Sequence, residues 1–240
     1  MARFYLPPNA WLTEPTLSGD EARHLAQVLR MKHGDSVIVF DGHGRRASAE
    51  ILSISRDRVP LKLGEILPSR PPQPAITLAQ AIPKGKNMDL IVQKSVELGI
   101  AAIQPLVTRH TVVQPSDGKS EKWRRNALEA CKQCGQDTLP EIAEPLAFDR
   151  WISSQAAAPG LKLIASLAPG ARPLRTVLRE NPATTAATML IGPEGDFSAE
   201  ETTAALAAGF LPISLGSIVL RVETATLFCL SALRYEFDAG

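Results

Sequence analysis

Two glycine-bracketed stretches late in the chain contain residue types that suit the binding of a small molecule. The first reads IGPEGD at 191–196 and the second LGSIVLR at 215–221, and each follows a short apolar run. Glycine lets a ligand approach the backbone closely, and the carboxyl ends of neighbouring parallel strands meet at one edge of a sheet, where ligands bind. For either loop alone, a simple turn is the better explanation. The pair, in this order, favours a binding site.

The elements that would position both loops begin at residue 75, where strand-like and helix-like segments alternate. Strands are predicted at 75–81, 101–107, 161–165, 188–191 and 211–215. Helices are predicted at 87–98, 121–134, from Pro173 onwards, at 198–208 and at 223–237. Ser198 with Glu201 three residues later forms the pattern of a capping box, and Asn87 is the predicted N-cap of the first of these helices. Five alternations of strand and helix predict a parallel α/β sheet.

Residues 1–72 are predicted to form a smaller, β-rich domain. The pattern favours strands at 3–6, 37–40, 46–54 and 59–63, a hairpin at 41–44 and a short helix at 20–30. The segment PSRPPQP at 68–74 contains four prolines, which stiffen it and cannot continue a strand or helix. We therefore divide the chain into residues 1–72 and 73–240.

The composition excludes several classes of function. With 240 residues and a net charge of +1, the chain has no overall field that attracts a polyanion, so a nucleic-acid surface would be a local patch. Cys131 and Cys134 form a C-x-x-C without a second pair, and the four histidines lack metal spacing, so we expect no metal site. Neither a signal peptide nor a long apolar span is evident, which indicates a cytoplasmic protein without a membrane anchor.

Three common ligand fingerprints are missing from the sequence. No G-x-G-x-x-G follows the first strand of the predicted sheet, and neither G-x-x-x-x-G-K-[ST] nor G-x-S-x-G occurs. A Rossmann dinucleotide site, a P-loop and a serine hydrolase are therefore disfavoured.

Several motifs, in order along nearly the whole chain, resemble those of a known family. IGPEGDFSAEE at 191–201 and LGSIVLRVETA at 215–225 resemble the paired cofactor loops of the SPOUT methyltransferases. HLAQVLRMKHGD at 24–35, PKGKNMDLIVQKSVELGI at 83–100 and KWRRNALEACKQCG at 122–135 are similar to motifs of the ribosomal RNA small-subunit methyltransferase E family. Each motif alone is modest in specificity, whereas the ordered set is highly specific.

The resemblance implies a fold, a reaction and partners. The fold would be a SPOUT-type parallel sheet with a C-terminal trefoil knot, a rare exception to unthreaded connections, preceded by a small PUA-like β-barrel that binds RNA. The reaction would be transfer of a methyl group from S-adenosylmethionine (SAM) to N3 of a uridine in 16S rRNA of the small ribosomal subunit. The protein would be a cytoplasmic homodimer with its last helix in the dimer contact, and it would need no metal.

The resemblance places the SAM site in the two glycine loops and at the end of the strand before them. Backbone groups of these loops would bind adenine and ribose, and Leu167 would form a wall beside the adenine. The predicted cofactor-binding residues are Leu167, Leu190, Ile191, Gly192, Pro193, Glu194, Gly195, Leu215, Gly216, Ser217, Val219, Leu220, Thr224 and Ala225.

Three residues depart from the family pattern. Asp196 stands where a second glycine is common, Ile218 where an arginine is common, and Gln136 where an arginine usually follows Cys-Gly. The fold and the cofactor site are expected to tolerate these changes, which bear on RNA contact near positions 136 and 218.

Arg221 and Glu223 are the predicted catalytic residues. The uridine N3–H must lose its proton, and the Arg221 cation could stabilise the charge that develops on a neighbouring carbonyl oxygen. Glu223 could accept the proton or orient Arg221. Structural alternatives stay open: a salt bridge from Arg221 to Glu223 or Glu194, and a first-turn carboxylate favoured by the helix dipole in the case of Glu223. Thr224 could touch substrate, although a helix cap is the simpler role.

Scattered basic residues are candidates for contact with RNA phosphates. About half of such residues are expected to be only solvated surface charges. The predicted RNA-binding residues are Arg23, Arg30, Lys32, Lys84, Lys86, Arg109, Arg124 and Arg125.

Other functions compete with this prediction. One is a SPOUT methyltransferase that acts on another RNA or another base position. A second is a non-catalytic RNA-binding assembly factor, which the intact glycines of both loops disfavour. A dehydrogenase is a distant third, because its dinucleotide fingerprint is missing.

Overall fold

The structure, a computed structural model, describes residues 1–12, 14–113 and 118–237. Contacts between Cα atoms group the chain into two compact units, one of Met1–Pro71 with Leu128–Leu139 and the other of Pro72–Ala127 with Pro140–Gly240. Segment 128–139 is thus assigned to the first unit, which the sequence pattern does not indicate. The division into two domains at residue 72 stays a prediction.

The first unit contains a five-stranded sheet with the strand order β1-β3-β4-β5-β2. Its strands are β1 (Arg3–Tyr5), β2 (Thr16–Ser18), β3 (Ser36–Phe40), β4 (Arg45–Ile51) and β5 (Arg58–Pro68). β1 is parallel to β3, and the other neighbours are antiparallel. The sequence pattern misses β2, and the predicted end of the last strand at residue 63 is wrong. β5 continues into the predicted linker because it stays paired with β4 as far as the Arg45–Pro68 partners.

The predicted helix at 20–30 is interrupted. α1 (Gly19–Arg23) passes into a π-helical turn at His24–Val28, and Arg30 follows with a left-handed φ of 51°. Leu25 is fully buried, whereas Val28 and Leu29 are exposed, so the predicted apolar face ends early. A π-helical turn rotates the residues that follow it relative to an α-helix, which accounts for the difference.

Buried charge holds segment 128–139 in the first unit. Asp137, whose side chain is 1% exposed, accepts a hydrogen bond from Arg3 at 2.6 Å and lies 3.8 Å from Arg46. The main-chain carbonyl of Gln136 accepts a second bond from Arg3 at 3.1 Å. A buried carboxylate needs such cationic partners. In the same segment, burial raises the pKa of the Cys131 thiol to about 12, so this thiol stays protonated at neutral pH.

The second unit contains an eight-stranded sheet that is entirely parallel, which confirms the predicted fold class. Its strands are β6 (Ala75–Ala81), β7 (Ala102–Val107), β8 (Glu141–Ile142), β9 (Leu146–Ala147), β10 (Leu161–Ala165), β11 (Arg172–Pro173), β12 (Ala186–Ile191) and β13 (Leu211–Ser214). The order is β11-β13-β10-β12-β6-β7-β8, with β9 also paired to β7. The five predicted strands are present. The sequence pattern misses β8, β9 and β11, because two residues are too few to show a period.

The helices after residue 75 include all those that the sequence predicts, and α4 in addition. They are α2 (Asn87–Glu97), α3 (Lys119–Cys134), α4 (Phe148–Ile152), α5 (Leu174–Arg179), α6 (Ala199–Ala207) and α7 (Val222–Phe237). The capping box of Ser198 and Glu201 is confirmed. Two positions are corrected: Asn87 is the first residue of α2 and Lys86 its N-cap, and Pro173 lies in β11, before α5. Within the described ranges, no helix is long and apolar enough to cross a membrane.

β12 is the central strand of the parallel sheet, and residues 187–191 are all buried. A strand with partners at both edges and cover on both faces becomes apolar throughout. An aromatic cluster packs beside it, with ring centroids 5.6 Å apart for Phe148 and Phe197 and 5.9 Å apart for Trp151 and Phe210. Leu190 of β12 belongs to this cluster. The packing fixes the end of β12, and therefore the start of the loop at Gly192.

Candidate functional site

A cavity of about 470 Å³ lies at the carboxyl edge of the parallel sheet. It is formed where β10, β12 and β13 end and where α7 begins, so both glycine loops contribute to one site. Its lining consists of Asn87, residues 165–167, 191–194, 215–216 and 218–223, Asp196 and Ala225. The volume lies within the range of about 300–1,000 Å³ that is usual for small-molecule pockets.

Most of the residues predicted from sequence lie together in this cavity. They are Leu167, Ile191, Gly192, Pro193, Glu194, Leu215, Gly216, Val219, Leu220, Arg221, Glu223 and Ala225. Four other predicted cofactor-binding residues do not line the cavity. Leu190 is buried in the aromatic cluster, Gly195 packs against His110, and Ser217 and Thr224 are exposed.

Several lining residues were not among the predicted site residues. Ala165 is the last residue of β10, Ser166 lies between it and Leu167, and Val222 begins α7. Their position directly beside predicted residues is a signal that could have identified them. Asn87 is different, because it lies more than a hundred residues before both glycine loops, and its position as the first residue of α2 suggests only a structural role at the start of that helix.

The first glycine loop is a compact turn. Asp196 has a left-handed φ of 58°, its backbone N–H donates to the carbonyl of Pro193 at 2.9 Å, and its Oδ1 accepts from the backbone of Phe197 at 2.8 Å. A Cβ atom added to Gly192 would lie 3.1 Å from Asp196 Oδ1 and 3.2 Å from the ring of Phe197. A side chain at position 192 would therefore crowd the packing of the turn itself.

His110 holds the same loop from outside the cavity. Its Nδ1 lies 2.9 Å from the carbonyl oxygen of Asp196, and because a carbonyl only accepts, Nδ1 carries the proton. A Cβ added to Gly195 would lie 3.1 Å from Cβ of His110. The absence of a side chain at Gly195 thus allows the histidine to pack against the loop.

The second glycine loop requires glycine for a different reason. Gly216 has a φ of 117°, and a Cβ there would meet no atom within 4 Å, so the backbone conformation and not space excludes other residues. Three apolar side chains around the cavity are largely exposed: Leu167 by 66%, Ile218 by 75% and Val219 by 71%. Exposed apolar side chains that cluster at a concave site are typical of a ligand-binding surface.

A buried hydrogen bond fixes the first turn of α7. The Thr226 hydroxyl lies 2.7 Å from Oε1 of Gln80 and 2.9 Å from the carbonyl of Val222, and both Thr226 and Gln80 are fully buried. Nε2 of Gln80 donates to the carbonyl of Ala81 at 2.9 Å, which fixes the orientation of the amide. Oε1 of Gln80 therefore faces Thr226 and accepts the single hydroxyl proton of the threonine. Thr224 lies inside this helical turn, so its predicted role as the cap is wrong.

The predicted catalytic pair faces the cavity without forming an ion pair. Both Arg221 and Glu223 line it. Among the described residues, no salt bridge includes Arg221, so neither predicted alternative, with Glu223 or with Glu194, is formed. Glu223 instead accepts a hydrogen bond at Oε2 from Nδ2 of Asn87 at 3.3 Å.

Three of the predicted basic residues follow strands that end at the edge where the cavity lies. Lys84 and Lys86 follow β6, Arg109 follows β7, and all three side chains are exposed. The backbone N–H of Lys84 donates to Glu194 at 3.0 Å, and that of Arg109 donates to Glu201 at 2.8 Å. These bonds connect both basic loops to the segment that begins with the first glycine loop.

Two of the other predicted basic residues form ion pairs with carboxylates. Arg124 bonds to Glu144 at 2.7 Å and Arg23 to Asp20 at 2.5 Å. Arg30, Lys32 and Arg125 are exposed.

Within the parts of the chain that the structure describes, no group of histidine, cysteine and carboxylate side chains is placed to hold a metal ion.

Models of two sequence families match this chain. The sequence model of a family described as the RNA methyltransferase domain matches residues 70–234, and that of the RNA methyltransferase PUA domain matches residues 17–63. The ribosomal RNA small subunit methyltransferase E of Synechocystis sp. is 33% identical over 91% of this chain and 72% of that protein. The protein of the same name from Buchnera aphidicola subsp. Acyrthosiphon pisum is 30% identical over 98% and 93%.

Solved structures of methyltransferases are also similar to this chain in fold. A Legionella pneumophila methyltransferase in complex with SAM superposes with a TM-score of 0.88 at 34% identity, over 98% of this chain and 97% of that chain. A ribosomal RNA small subunit methyltransferase E from Neisseria gonorrhoeae, bound to SAM, has a TM-score of 0.87 at 30% identity, over 99% and 98%.

The matches to both domain families, together with a ligand cavity at the edge of a parallel sheet, place the protein among the RNA methyltransferases with a PUA domain. Within that class, the two curated relatives align with 91% and 98% of this chain. The chain belongs to the ribosomal RNA small subunit methyltransferase E family.

Proposed function

We propose that the protein transfers a methyl group from SAM to N3 of a uridine in 16S rRNA of the small ribosomal subunit. The observation that carries the proposal is the single cavity that both glycine loops and the Arg221–Glu223 segment line. The names of the relatives support the choice of small-subunit ribosomal RNA, and the SAM-bound structures from Legionella and Neisseria support the choice of methyl donor.

The residues of the cavity fit SAM. Adenine has two flat apolar faces, and the exposed side chains of Leu167, Ile218 and Val219 provide apolar surface for such a group to cover. The backbone at Gly192 and Gly216 has no side chain in the way of hydrogen bonds to ribose and adenine. When bound, SAM supplies an electrophilic methyl group whose bonding electrons stay on sulfur as the methyl moves to N3, which leaves S-adenosylhomocysteine.

Arg221 and Glu223 supply the groups that the uracil ring needs. The N3–H proton passes to a carboxylate oxygen of Glu223, which leaves the nitrogen lone pair free to take the methyl group. Negative charge that develops on a neighbouring carbonyl oxygen is stabilised by the guanidinium of Arg221. The absence of an ion pair to Arg221 among the described residues leaves that charge available for substrate.

RNA binding is assigned to exposed basic residues. Lys84, Lys86 and Arg109 lie at the edge of the sheet that carries the cavity, where they would position phosphates beside the reacting base. Arg30, Lys32 and Arg125 are further candidates, whereas Arg23 and Arg124 are partly neutralised by their carboxylate partners. The target uridine must leave its stack to reach the cavity.

We also propose that the protein acts as a homodimer in the cytoplasm. Phe228 and Tyr235 of α7 are 48% and 89% exposed, and with residues of α5 they line a second groove, of about 430 Å³, next to the second glycine loop. A second copy of the chain would cover this apolar surface. The relatives are named as methyltransferases of small-subunit ribosomal RNA, and a protein that modifies this RNA would act in the cytoplasm.

Nucleoside analysis of ribosomal RNA tests the product. We expect 3-methyluridine to be missing from 16S rRNA of cells that lack the protein and to return with the wild-type gene but not with Gly192→Val. Because N3 is a Watson–Crick donor, reverse transcriptase should stall just before the site in wild-type RNA only. Detection of 5-methyluridine or a 2′-O-methyl nucleoside as the product would overturn the assignment, and a failure to bind SAM in a calorimetric titration would favour a non-catalytic assembly factor.

A further inference from the structure

Asn87 contacts a predicted catalytic residue from an element that the sequence motifs do not connect with it. Its side chain lines the cavity, is half-buried, and donates from Nδ2 to Oε2 of Glu223 at 3.3 Å. A carboxylate only accepts hydrogen bonds, so the amide nitrogen of Asn87, and not its oxygen, must face Glu223. The contact therefore has a defined direction.

The contact affects one oxygen of the carboxylate and leaves the other free. Among the described residues, Oε1 of Glu223 accepts no hydrogen bond, and no cation pairs with this carboxylate. A neutral amide restricts the rotation of the carboxylate without adding the positive charge that a lysine or arginine would bring. Glu223 is thereby oriented and remains unneutralised.

The element that carries Asn87 is itself fixed to the site. Asn87 is the first residue of α2, and the loop before it is tied to the first glycine loop by the bond from Lys84 to Glu194 at 3.0 Å. Met88, which follows, is buried in the core. The residues before and after Asn87 are therefore both fixed, and a residue that orients another group must itself be fixed in this way.

From this geometry we propose that Asn87 is a positioning residue that holds Oε2 of Glu223 so that Oε1 faces the N3 proton of the uracil. The inference rests on the proposed function, because it assigns Glu223 the role of proton acceptor. Asn87 itself takes no proton. The proton moves from N3 to Oε1, and the nitrogen lone pair that it leaves forms the bond to the methyl carbon.

Single-turnover methylation with a radiolabelled methyl donor tests the proposal, because it follows even slow residual transfer. We expect Asn87→Ala to lower the rate about tenfold, the equivalent of one hydrogen bond to a charged group, with SAM affinity in calorimetry unchanged. Asn87→Asp should lower the rate further, since it places two carboxylates in contact. Gln93→Ala, an exposed substitution on the same helix, is the matched control and should retain the wild-type rate.

A double-mutant cycle separates positioning from a merely structural role. In a Glu223→Gln background, Asn87→Ala should change the residual rate less than about twofold, because the group through which it acts is gone. An undiminished effect in that background, or a wild-type rate for Asn87→Ala alone, overturns the proposal. Failure of the proposed function is distinct, since the wild-type protein would then produce no 3-methyluridine.

Discussion

Asp196 shows how a departure from the family pattern can be accommodated by one residue. Its φ of 58° lies in the left-handed region, where glycine is free of strain and aspartate is tolerated better than most residues. Its side chain also accepts the backbone N–H of Phe197 at 2.8 Å. The position therefore needs either no side chain or a short polar one, which explains why aspartate can stand where the family commonly has glycine.

Substitutions at position 196 test this explanation. We expect Asp196→Gly to bind SAM as the wild type does, because glycine adopts the same backbone conformation without strain. Asp196→Val should lower the free energy of unfolding by about 2 kcal/mol, since a β-branched residue at positive φ is strained and the bond to Phe197 is lost. Urea unfolding and calorimetric SAM titration measure the two effects. Equal unfolding midpoints for the glycine and valine variants would contradict the argument.

Arg221 allows chemistry to be separated from binding. Its guanidinium forms no salt bridge among the described residues, so its removal should cost little stability. We expect Arg221→Ala to reduce the single-turnover rate by about two orders of magnitude, the usual effect of losing one group that stabilises a developing anion, with SAM affinity nearly unchanged. Arg150→Ala, at an exposed arginine of α4, serves as the control. A wild-type rate for Arg221→Ala would remove Arg221 from the mechanism.

At the scale of elements, the sequence predicted long periodic segments and missed short ones. The five longer strands of the parallel sheet, and helices such as α6 and α7, show hydrophobic patterns that can be recognised in a single sequence. β8, β9 and β11 have two residues each, and the π-helical turn at His24–Val28 breaks a period that otherwise looks helical. Such features depend on partners elsewhere in the chain.

The same limit applied to the site. Both glycine loops could be recognised because their residues are local in sequence. Contacts of Asn87 with Glu223 and of Gln80 with Thr226 join residues that are 136 and 146 positions apart. No spacing rule connects such pairs, so only the folded sheet, which brings the end of β6 beside the start of α7, reveals them.

Arg234 connects two helices of the second unit. From α7 it donates to the carbonyls of Leu98 and Pro74, each at 2.9 Å, and also to that of Gly99. The last carbonyls of a helix lack partners within the helix, and α2 ends just before Leu98. Arg234 thus satisfies the end of α2. Gly99, at a φ of 75°, lets the guanidinium approach, because a Cβ there would lie 3.2 Å from it.

Replacement of Arg234 should destabilise the second unit. We expect Arg234→Ala to lower the free energy of unfolding by about 2–3 kcal/mol, since half-buried carbonyls lose a charged donor. Arg234→Lys should recover only part of the loss, because an ammonium cannot reproduce the planar fork of a guanidinium. Chemical denaturation measures both variants against Arg179→Ala, an exposed arginine of α5. An unchanged unfolding midpoint for Arg234→Ala would show that water replaces the arginine at no cost.

For the molecule as a whole, the resemblance in ordered motifs carried more information than composition did. The parallel sheet and the family are confirmed by the structure and by the relatives. The assignment of segment 128–139 to the first unit depends on the buried Asp137 and its arginine partners, which no local pattern predicts. The trefoil knot, the homodimer and the boundary at residue 72 stay predictions.

The charge of the whole chain limits how it can bind RNA. With 26 basic and 25 acidic residues, the net charge of +1 provides little long-range attraction, so affinity must come from cations that lack carboxylate partners. Lys84 and Lys86 are exposed and form no ion pair among the described residues. Lys94 and Lys122 are instead paired with Glu97 and Asp89. These two pairs of lysines have equal formal charge but different freedom to neutralise phosphates.

This difference predicts a contrast in salt dependence. Each free lysine that neutralises a phosphate releases condensed counterions, so combined Lys84→Ala and Lys86→Ala should weaken binding to 16S rRNA and reduce the slope of log K against log salt by up to about two units. Combined Lys94→Ala and Lys122→Ala should change the slope far less, because those cations are already neutralised within the protein. Filter binding across a salt series measures both. Identical slopes for the two double variants would mean that Lys84 and Lys86 face solvent in the complex, and that the loop after β6 binds no RNA.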